Sequence, residues 1–144
     1  MRDYTKIKAW SLADDLTVDI YKATRSFPKD EMYAMTNQIR RAASSVPANI
    51  VEGASRNTHK DYLHFLYIAR GSLHEAHYFV HLAGRLGYLD ADAKQRLTAQ
   101  AEEASRTLTG LIKAVEKEVG LVGRSIAKLS SLLVLSLSSA LQFQ

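Results

Sequence analysis

Four segments of the chain repeat apolar residues at every third or fourth position, which is the period of an amphipathic α-helix. No segment has the two-residue alternation of a half-buried strand, so the predicted fold class is all-α. The connections, near residues 28–30, 54–57 and 88–89, are short, and short connections make consecutive helices antiparallel. We therefore predict an antiparallel up-down-up-down four-helix bundle with an extra C-terminal segment.

Proline and acidic residues indicate how the first two helices end and begin. Pro28 closes the first helix, and Asp30 and Glu31 suit the positive N-terminal end of the second. The apolar stripe of the second helix begins at Met32. Pro47 lies inside that helix and removes one backbone donor, so we expect a kink or a break there.

Capping residues and glycines indicate the bounds of the last two helices. Thr58 and Asp61 have the spacing of a capping box, with Asp in place of the usual Glu, and Asp90 is a candidate cap for the fourth helix. Gly87 is expected to stop the third helix and Gly120 the fourth.

The length and the pattern together indicate one domain. The chain has 144 residues, which is enough to bury one hydrophobic core. The fourth apolar stripe runs through Leu111 to Val119, and the composition changes after Gly120 to a Ser/Leu-rich run with no acidic residue. We expect residues 1–120 to form the bundle and residues 121–144 to form a C-terminal tail, for which a fifth helix, an oligomer contact and a poorly ordered tail all remain open.

Composition and the chain ends favour a protein of the cytoplasm. There is no cysteine, which excludes disulfides and thiolate metal sites and fits a reducing compartment. The first residues lack the apolar stretch of a signal peptide. The longest apolar region, residues 129–141, is shorter than the roughly 20 residues that a spanning helix requires. We expect a cytoplasmic protein without a membrane partner.

Three histidines of the third helix are the candidate metal ligands. His74, His77 and His81 lie at positions i, i+3 and i+7, which can bring ligands to one face. No carboxylate in the pattern supplies a further ligand, and Tyr78 stands where a zinc-protease motif needs its second histidine. We therefore predict surface or subunit-contact histidines, with no metal and no cofactor.

One face of the third helix carries cations interleaved with rings. Lys60, Arg70 and Arg85 share it with Tyr67, Tyr78 and the three histidines, within roughly a third of the helix circumference. Phosphates and unstacked bases bind such surfaces, and histidine side chains as a class add charge below about pH 6.5. A solvated face or a subunit contact explains the same residues equally well. The candidate nucleic-acid-binding residues are Lys60, Arg70 and Arg85, followed by Arg40 and Arg41 of the second helix.

A second polar stripe lies on the second helix, with spacings of three and four residues. Buried polar groups need hydrogen-bond partners, so this stripe can hold neighbouring helices or subunits in register. We predict a structural polar seam or subunit interface rather than a ligand site, because no acid–base pair is visible in it. Its members are Gln38, Arg41, Ser45, Asn49 and Glu52.

The sequence offers little for catalysis. It has serines but no Gly-x-Ser-x-Gly elbow, and no phosphate-binding loop. Arg70 and His77 are seven residues apart, and this pair resembles the Arg-x4–6-His motif of the helical-bundle ribonucleases of the HEPN class. Gly71 replaces the polar residue that usually follows the arginine.

Several longer strings resemble the four-helix-bundle proteins encoded by intervening sequences in bacterial 23S rRNA genes. They are FPKDEMY at 27–33, QIRRAASSVPANIVEG at 38–53, FLYIARGSLHE at 65–75 and LGYL at 86–89. The resemblance covers roughly residues 4–119, and it departs from the family at Ala34, where a glycine is usual, and in the histidine-rich third helix. The tail from Leu121 has no counterpart in it.

The resemblance implies a closed four-helix bundle that assembles as a homopentamer and has no established catalytic activity. Its relatives include accessory proteins of diversity-generating retroelements, which bind nucleic acid and a reverse transcriptase through a basic pentamer surface. We therefore expect a non-enzymatic, cytoplasmic homo-oligomer that binds RNA or DNA. The alternatives are an assembly scaffold whose partner is another protein and a metal-independent ribonuclease.

Overall fold

Four long helices make up most of the described part of the chain. The computed structural model describes residues 2–141, with side chains through residue 130. α1 spans Lys8–Ala23, α2 Met35–Ser55, α3 His59–Arg85 and α4 Ala91–Leu141. α1 and α3 each contact both α2 and α4, which closes the ring of helices. The described residues include no strand, and the prediction of an all-α four-helix bundle is confirmed.

The connection between α1 and α2 differs from the prediction. α1 ends at Ala23 and is followed by two short 3-10 turns. α2 begins at Met35, so Met32 precedes the helix and is 48% exposed, and its predicted place in the core stripe is wrong. The helix begins there because a Glu31 carboxylate oxygen accepts the Met35 N–H at 3.1 Å and satisfies one of its free backbone donors.

The predicted caps of α3 and α4 are confirmed. The Thr58 hydroxyl accepts the Asp61 N–H at 3.0 Å and donates to the Asp61 carboxylate at 2.6 Å. Asp90 accepts the Ala93 N–H at 2.7 Å at the start of α4. Gly87 follows α3 with φ +74°, the left-handed conformation that commonly terminates a helix.

The core lies along the inward stripes of all four helices. Alanines at Ala69, Ala76 and Ala83 of α3 are completely buried, and their small side chains let the helices pack closely. In α4 the buried residue is Ile112, at 1% exposure, whereas the predicted Leu111 lies beside the core and is only partly buried. The buried face of α4 is therefore rotated slightly from the predicted one, because the next fully buried residue after Leu108 comes four positions later and not three.

Pro47 does not interrupt α2, which is helical from Met35 to Ser55. Proline has no N–H, so the carbonyl of Ala43, four residues earlier, loses its helical partner. The Thr17 hydroxyl of α1 lies 3.0 Å from that carbonyl oxygen and 2.8 Å from the Ala13 carbonyl oxygen of its own helix. A hydroxyl of the neighbouring helix, shared between the two carbonyls, therefore offers the Ala43 carbonyl a donor in place of the N–H that proline lacks.

α4 does not end at Gly120, as the sequence signals predicted, but remains helical to Leu141. Most of the expected tail is thus a continuation of α4 rather than a separate fifth helix, and residues 142–144 lie outside the described residues. No helix in the described part of the chain combines the length and apolar character needed to cross a membrane.

Candidate nucleic-acid interface

The outward face of α3 carries three of the predicted phosphate-binding residues. Lys60 and Arg85 are exposed near the two ends of the helix, and Arg70 is half-buried between them. The Arg70 guanidinium carbon lies 5.0 Å from the centre of the Tyr67 ring, which is cation–π geometry. Tyr78 also projects to solvent on this face. The structure thus arranges cations and rings along one helix, as the spacing predicted.

An acidic residue of α4 borders this face. The Tyr67 hydroxyl donates to the Glu116 carboxylate at 2.6 Å, and this hydrogen bond raises the pKa of the Tyr67 phenol. The contact orients the ring beneath Arg70, and it also places a negative charge beside the cations. Sequence spacing along α3 alone gave no signal for Glu116, because this contact joins two helices.

All five histidines of the chain lie on α3. His74 and His81 are exposed and His77 is half-buried, and sequence reasoning overlooked His64, which is also exposed. His59 Nε2 lies 2.9 Å from a Glu118 carboxylate oxygen of α4. Within the described residues, no three histidine, aspartate or glutamate side chains meet in an arrangement that could hold a metal ion.

Arg40 and Arg41, the second-choice residues, point in different directions. Arg40 Nε donates to the Thr24 hydroxyl at 2.8 Å, and its guanidinium carbon lies 4.9 Å from the centre of the Tyr21 ring. These contacts hold Arg40 against the end of α1, away from the α3 face. Arg41 is exposed and lines a groove between α2 and α3. The five candidate residues therefore do not form one continuous site.

The groove between α2 and α3 contains much of the predicted polar seam and has a volume of about 500 Å³. The Ser45 and Ser72 hydroxyl oxygens lie 2.9 Å apart across it, and either can donate. Asn49 Nδ2 donates to the Ser45 carbonyl and hydroxyl oxygens at 2.7 and 2.9 Å. The lining residues are Gln38, Arg41, Ala42, Ser44, Ser45, Ala48, Ser72 and Glu75.

Through Ser45, the seam therefore joins α2 to α3 within one chain. Glu52, its last member, forms an ion pair with Arg56 just beyond the end of α2. The Arg56 guanidinium carbon in turn lies 4.8 Å from the centre of the Phe65 ring of α3. These contacts use Ser45, Asn49 and Glu52 for intramolecular packing and leave Gln38 and Arg41 exposed at the rim of the groove.

Arg70 and His77, the residues of the ribonuclease-like pair, are both half-buried on α3. They are separated by two helical turns, about 10.5 Å along the axis at 1.5 Å per residue. Arg70 is engaged with Tyr67, as described above. The hydrogen-bonded serines of the seam also lack a base. The side chains of Asn49, Ser45 and Ser72 are linked to one another, but no histidine or lysine joins them to act as a general base for a serine.

Comparisons with known proteins agree with this fold. No curated protein gives a significant match. A crystal structure of a protein with unknown function from the S23 ribosomal protein family of Bacteroides thetaiotaomicron VPI-5482 matches with a TM-score of 0.66 and 24% identity, over 73% of this chain and 98% of that chain, and it shows a shared fold. The family model of the 23S rRNA-intervening sequence protein matches residues 5–110. The bundle described above therefore belongs to the 23S rRNA-intervening sequence protein family.

Proposed function

We propose that this chain is a non-enzymatic, cytoplasmic homo-oligomer that binds RNA or other nucleic acid through its phosphates. The observation that carries the proposal is the outward face of α3, where Lys60, Arg70 and Arg85 alternate with Tyr67 and Tyr78. Basic side chains bind the phosphate backbone, and rings stack on unpaired bases. The family name, which refers to sequences within 23S rRNA genes, is consistent with an RNA partner.

Assembly would strengthen a surface that is only modestly charged in one chain. From His59 to Arg85, α3 has three Lys and Arg residues against two acids, Asp61 and Glu75. A pentamer, which the resemblance implies, would present this face five times and add the fields of the copies. Such binding depends on counterion release, so its affinity falls steeply with salt and shows little preference for sequence.

The decisive experiment is a salt-dependent binding titration with a labelled structured RNA and a DNA of the same length. The test variant carries Lys60→Gln, Arg70→Gln and Arg85→Gln. The matched control carries Lys8→Gln, Arg25→Gln and Lys29→Gln, which removes three exposed cations from α1 and the α1–α2 connection. Both variants lose three positive charges, so they separate the α3 face from net charge.

We expect the α3 variant to lose most of its affinity at low salt and its salt slope to fall by up to about three, one for each phosphate contact, while the control retains both. Equal losses in both variants, or no binding by the wild type at low salt, would reject the nucleic-acid interface. The second outcome would leave the assembly scaffold as the better account.

Light scattering on the same samples measures the proposed oligomer, and a monomeric mass would reject it. Incubation of the protein with the labelled RNA, with a chelator present, tests the proposal that the protein is not an enzyme. We expect intact RNA. Cleavage that disappears in His77→Ala would instead establish the metal-independent ribonuclease that the spacing of Arg70 and His77 resembles.

A further inference from the structure

α4 continues well beyond the end of the bundle. His59, the first residue of α3, contacts Glu118 of α4, with 2.9 Å between imidazole and carboxylate. α3 therefore stops flanking α4 at this level, yet α4 remains helical to Leu141. At 1.5 Å per residue, residues 119–141 extend about 33 Å. We call this segment the overhang, and its side chains are described through residue 130.

The apolar stripe that packs α4 into the core continues along the overhang without a change of register. Leu108, Ile112 and Val115 are buried, and Val119 is half-buried at the end of the bundle. The same alternation of four-residue and three-residue steps leads on to further apolar positions, now 50–62% exposed. The overhang stripe is Val119, Val122, Ile126 and Leu129.

From residue 119 to residue 130 the sides of this stripe carry no charge, and Glu118 borders its first turn. Gly123, Ser125 and Ser130 flank it, and all three are small. At 100° per residue, Arg124 and Lys128 lie roughly 140° to 180° around the helix from the stripe, on the opposite side. No acidic residue occurs after Glu118. Leu121 lies on the side of the two cations and is not part of the stripe.

An apolar groove begins where the overhang leaves the bundle. It has a volume of about 320 Å³, and Val119, Val122 and Ile126 form its wall on α4. The first turn of α3, including His59 and Lys60, forms the other side. The groove thus joins the bundle core to the exposed stripe, so a helix laid on the stripe would extend the packing that already exists inside the bundle.

We propose that the overhang stripe pairs with the overhang stripe of a second copy of this chain. Steps of three and four residues define the narrow seam of a coiled coil. Val119 and Ile126 occupy one of its two repeating positions, and Val122 and Leu129 occupy the other. A charged partner would find no ion-pair partner on these uncharged flanks, whereas an identical uncharged surface can pack against them. A helix that lies on a membrane has a wider apolar face and a strongly charged polar face.

Pairing would bury a surface that is otherwise exposed in every copy. The described stripe, residues 119–130, covers nearly two heptads, and the helix that carries it continues to Leu141. The small flanking residues let the two backbones approach closely. This pairing surface lies beyond residues 5–110, the part that matches the family model, and it does not depend on the proposed nucleic-acid binding.

The test compares two full-length double variants of the same helix by sedimentation velocity over a range of concentrations. Ile126→Gln with Leu129→Gln alters the stripe, and Arg124→Gln with Lys128→Gln alters the opposite side. We expect the stripe variant to raise the dissociation constant for pairing at least about tenfold, because two apolar side chains are no longer buried. The control should pair like the wild type. Equal dissociation constants in all three proteins would overturn the proposal.

Cross-linking provides a second measurement that does not depend on loss of structure. The chain has no cysteine, so single cysteines can be introduced cleanly. With a short bismaleimide, Val122→Cys should give a covalent dimer in high yield and Arg124→Cys should not. Equal yields at the two positions would contradict pairing through the stripe.

Two further outcomes separate this proposal from others. If the wild type cosediments with phosphatidylglycerol vesicles and the stripe variant does not, while sedimentation velocity gives the two proteins the same mass, the stripe binds a membrane surface and the pairing proposal is wrong. RNA binding should be unchanged in the stripe variant. If the wild type binds no RNA but still pairs, only the proposed nucleic-acid function fails.

Discussion

The Thr17 hydroxyl lies 3.0 Å from the Ala43 carbonyl oxygen, the acceptor that Pro47 leaves without a helical donor. Ala43 is buried, so this carbonyl has no access to water. A buried acceptor without a partner costs about 1–3 kcal/mol. The contact explains how α2 includes a proline in its interior and still remains one continuous helix.

Thr17→Val should therefore destabilise the protein by about 1–3 kcal/mol, because valine keeps the shape of threonine but leaves the Ala43 carbonyl unpaired. Thr17→Ser, which keeps the hydroxyl, should cost less. Urea unfolding measures both. In a Pro47→Ala background the restored backbone N–H at position 47 can donate to the Ala43 carbonyl, so Thr17→Val should cost less there. An equal cost in the two backgrounds would show that Thr17 does not replace the missing bond.

Gly53 and Gly71 should respond to alanine with opposite signs. A Cβ atom at Gly53 would lie 2.9 Å from both Phe65 Cβ and Tyr62 Cδ2 of α3, so Gly53→Ala forces α2 and α3 apart. We expect a loss of about 1–3 kcal/mol of unfolding free energy.

Gly71 is the matched control, because nothing lies within 4 Å of the Cβ that alanine would add. It is also inside a helix, where alanine is preferred, so Gly71→Ala should stabilise the protein by roughly 0.5–1 kcal/mol. Urea unfolding of the two single variants is sufficient. A stabilising Gly53→Ala would mean that the helices pack less closely at this crossing.

Because of Tyr88, we expect the free energy of unfolding to fall at alkaline pH. Its hydroxyl donates to Glu31 at 3.0 Å, and this hydrogen bond raises the pKa of the Tyr88 phenol. A pKa raised in the folded state gives stability that is complete below the ordinary tyrosine value of about 10. That contribution is lost as pH rises through the folded value.

Hydrogen bonding also raises the pKa of Tyr67, and burial raises that of Tyr62, so both act in the same direction. Unfolding measured from pH 8 to pH 11 should show a falling free energy in the wild type. Tyr88→Phe should be less stable at pH 8 and should have a shallower fall. A fall of equal steepness in Tyr88→Phe would exclude the Glu31 hydrogen bond as a cause.

The contrast between Gly87 and Gly120 shows how far sequence signals determined the helix ends. Both glycines follow an apolar stripe, and both were expected to stop a helix. Gly87 takes a positive φ, whereas Gly120 stays helical. A glycine inside a helix costs only about 1 kcal/mol, so residue type alone does not distinguish the two cases. The continued apolar register after Val119 was the signal that favoured a longer helix.

The sequence likewise predicted one part of the candidate site and missed another. Periodicity along one helix grouped Lys60, Arg85, His74 and His81, which are all exposed in the structure, because they share a single element. It could not reveal Glu116 beside Tyr67 or Thr24 beside Arg40, because these contacts join different helices and depend on how the helices are rotated. Sequence spacing therefore predicts which residues share a helix face better than it predicts which cations are free of contacts with other helices.

Arg40 and Arg85 provide the sharpest test of that difference. Arg40 donates to Thr24 and lies over the Tyr21 ring, so its charge is committed to holding α2 against α1. Arg85 is exposed at the C-terminal end of α3. Arg40→Gln should lower the unfolding free energy by about 1 kcal/mol and leave the salt slope of RNA binding unchanged.

Arg85→Gln should have the converse effect. We expect its unfolding free energy to stay within about 0.5 kcal/mol of the wild type, as for most surface substitutions, and its salt slope to fall by about one. Each variant loses one positive charge, so net charge is matched. If Arg40→Gln reduces the salt slope as much as Arg85→Gln does, RNA binding follows the total charge of the protein, and the outward face of α3 has no special part in it.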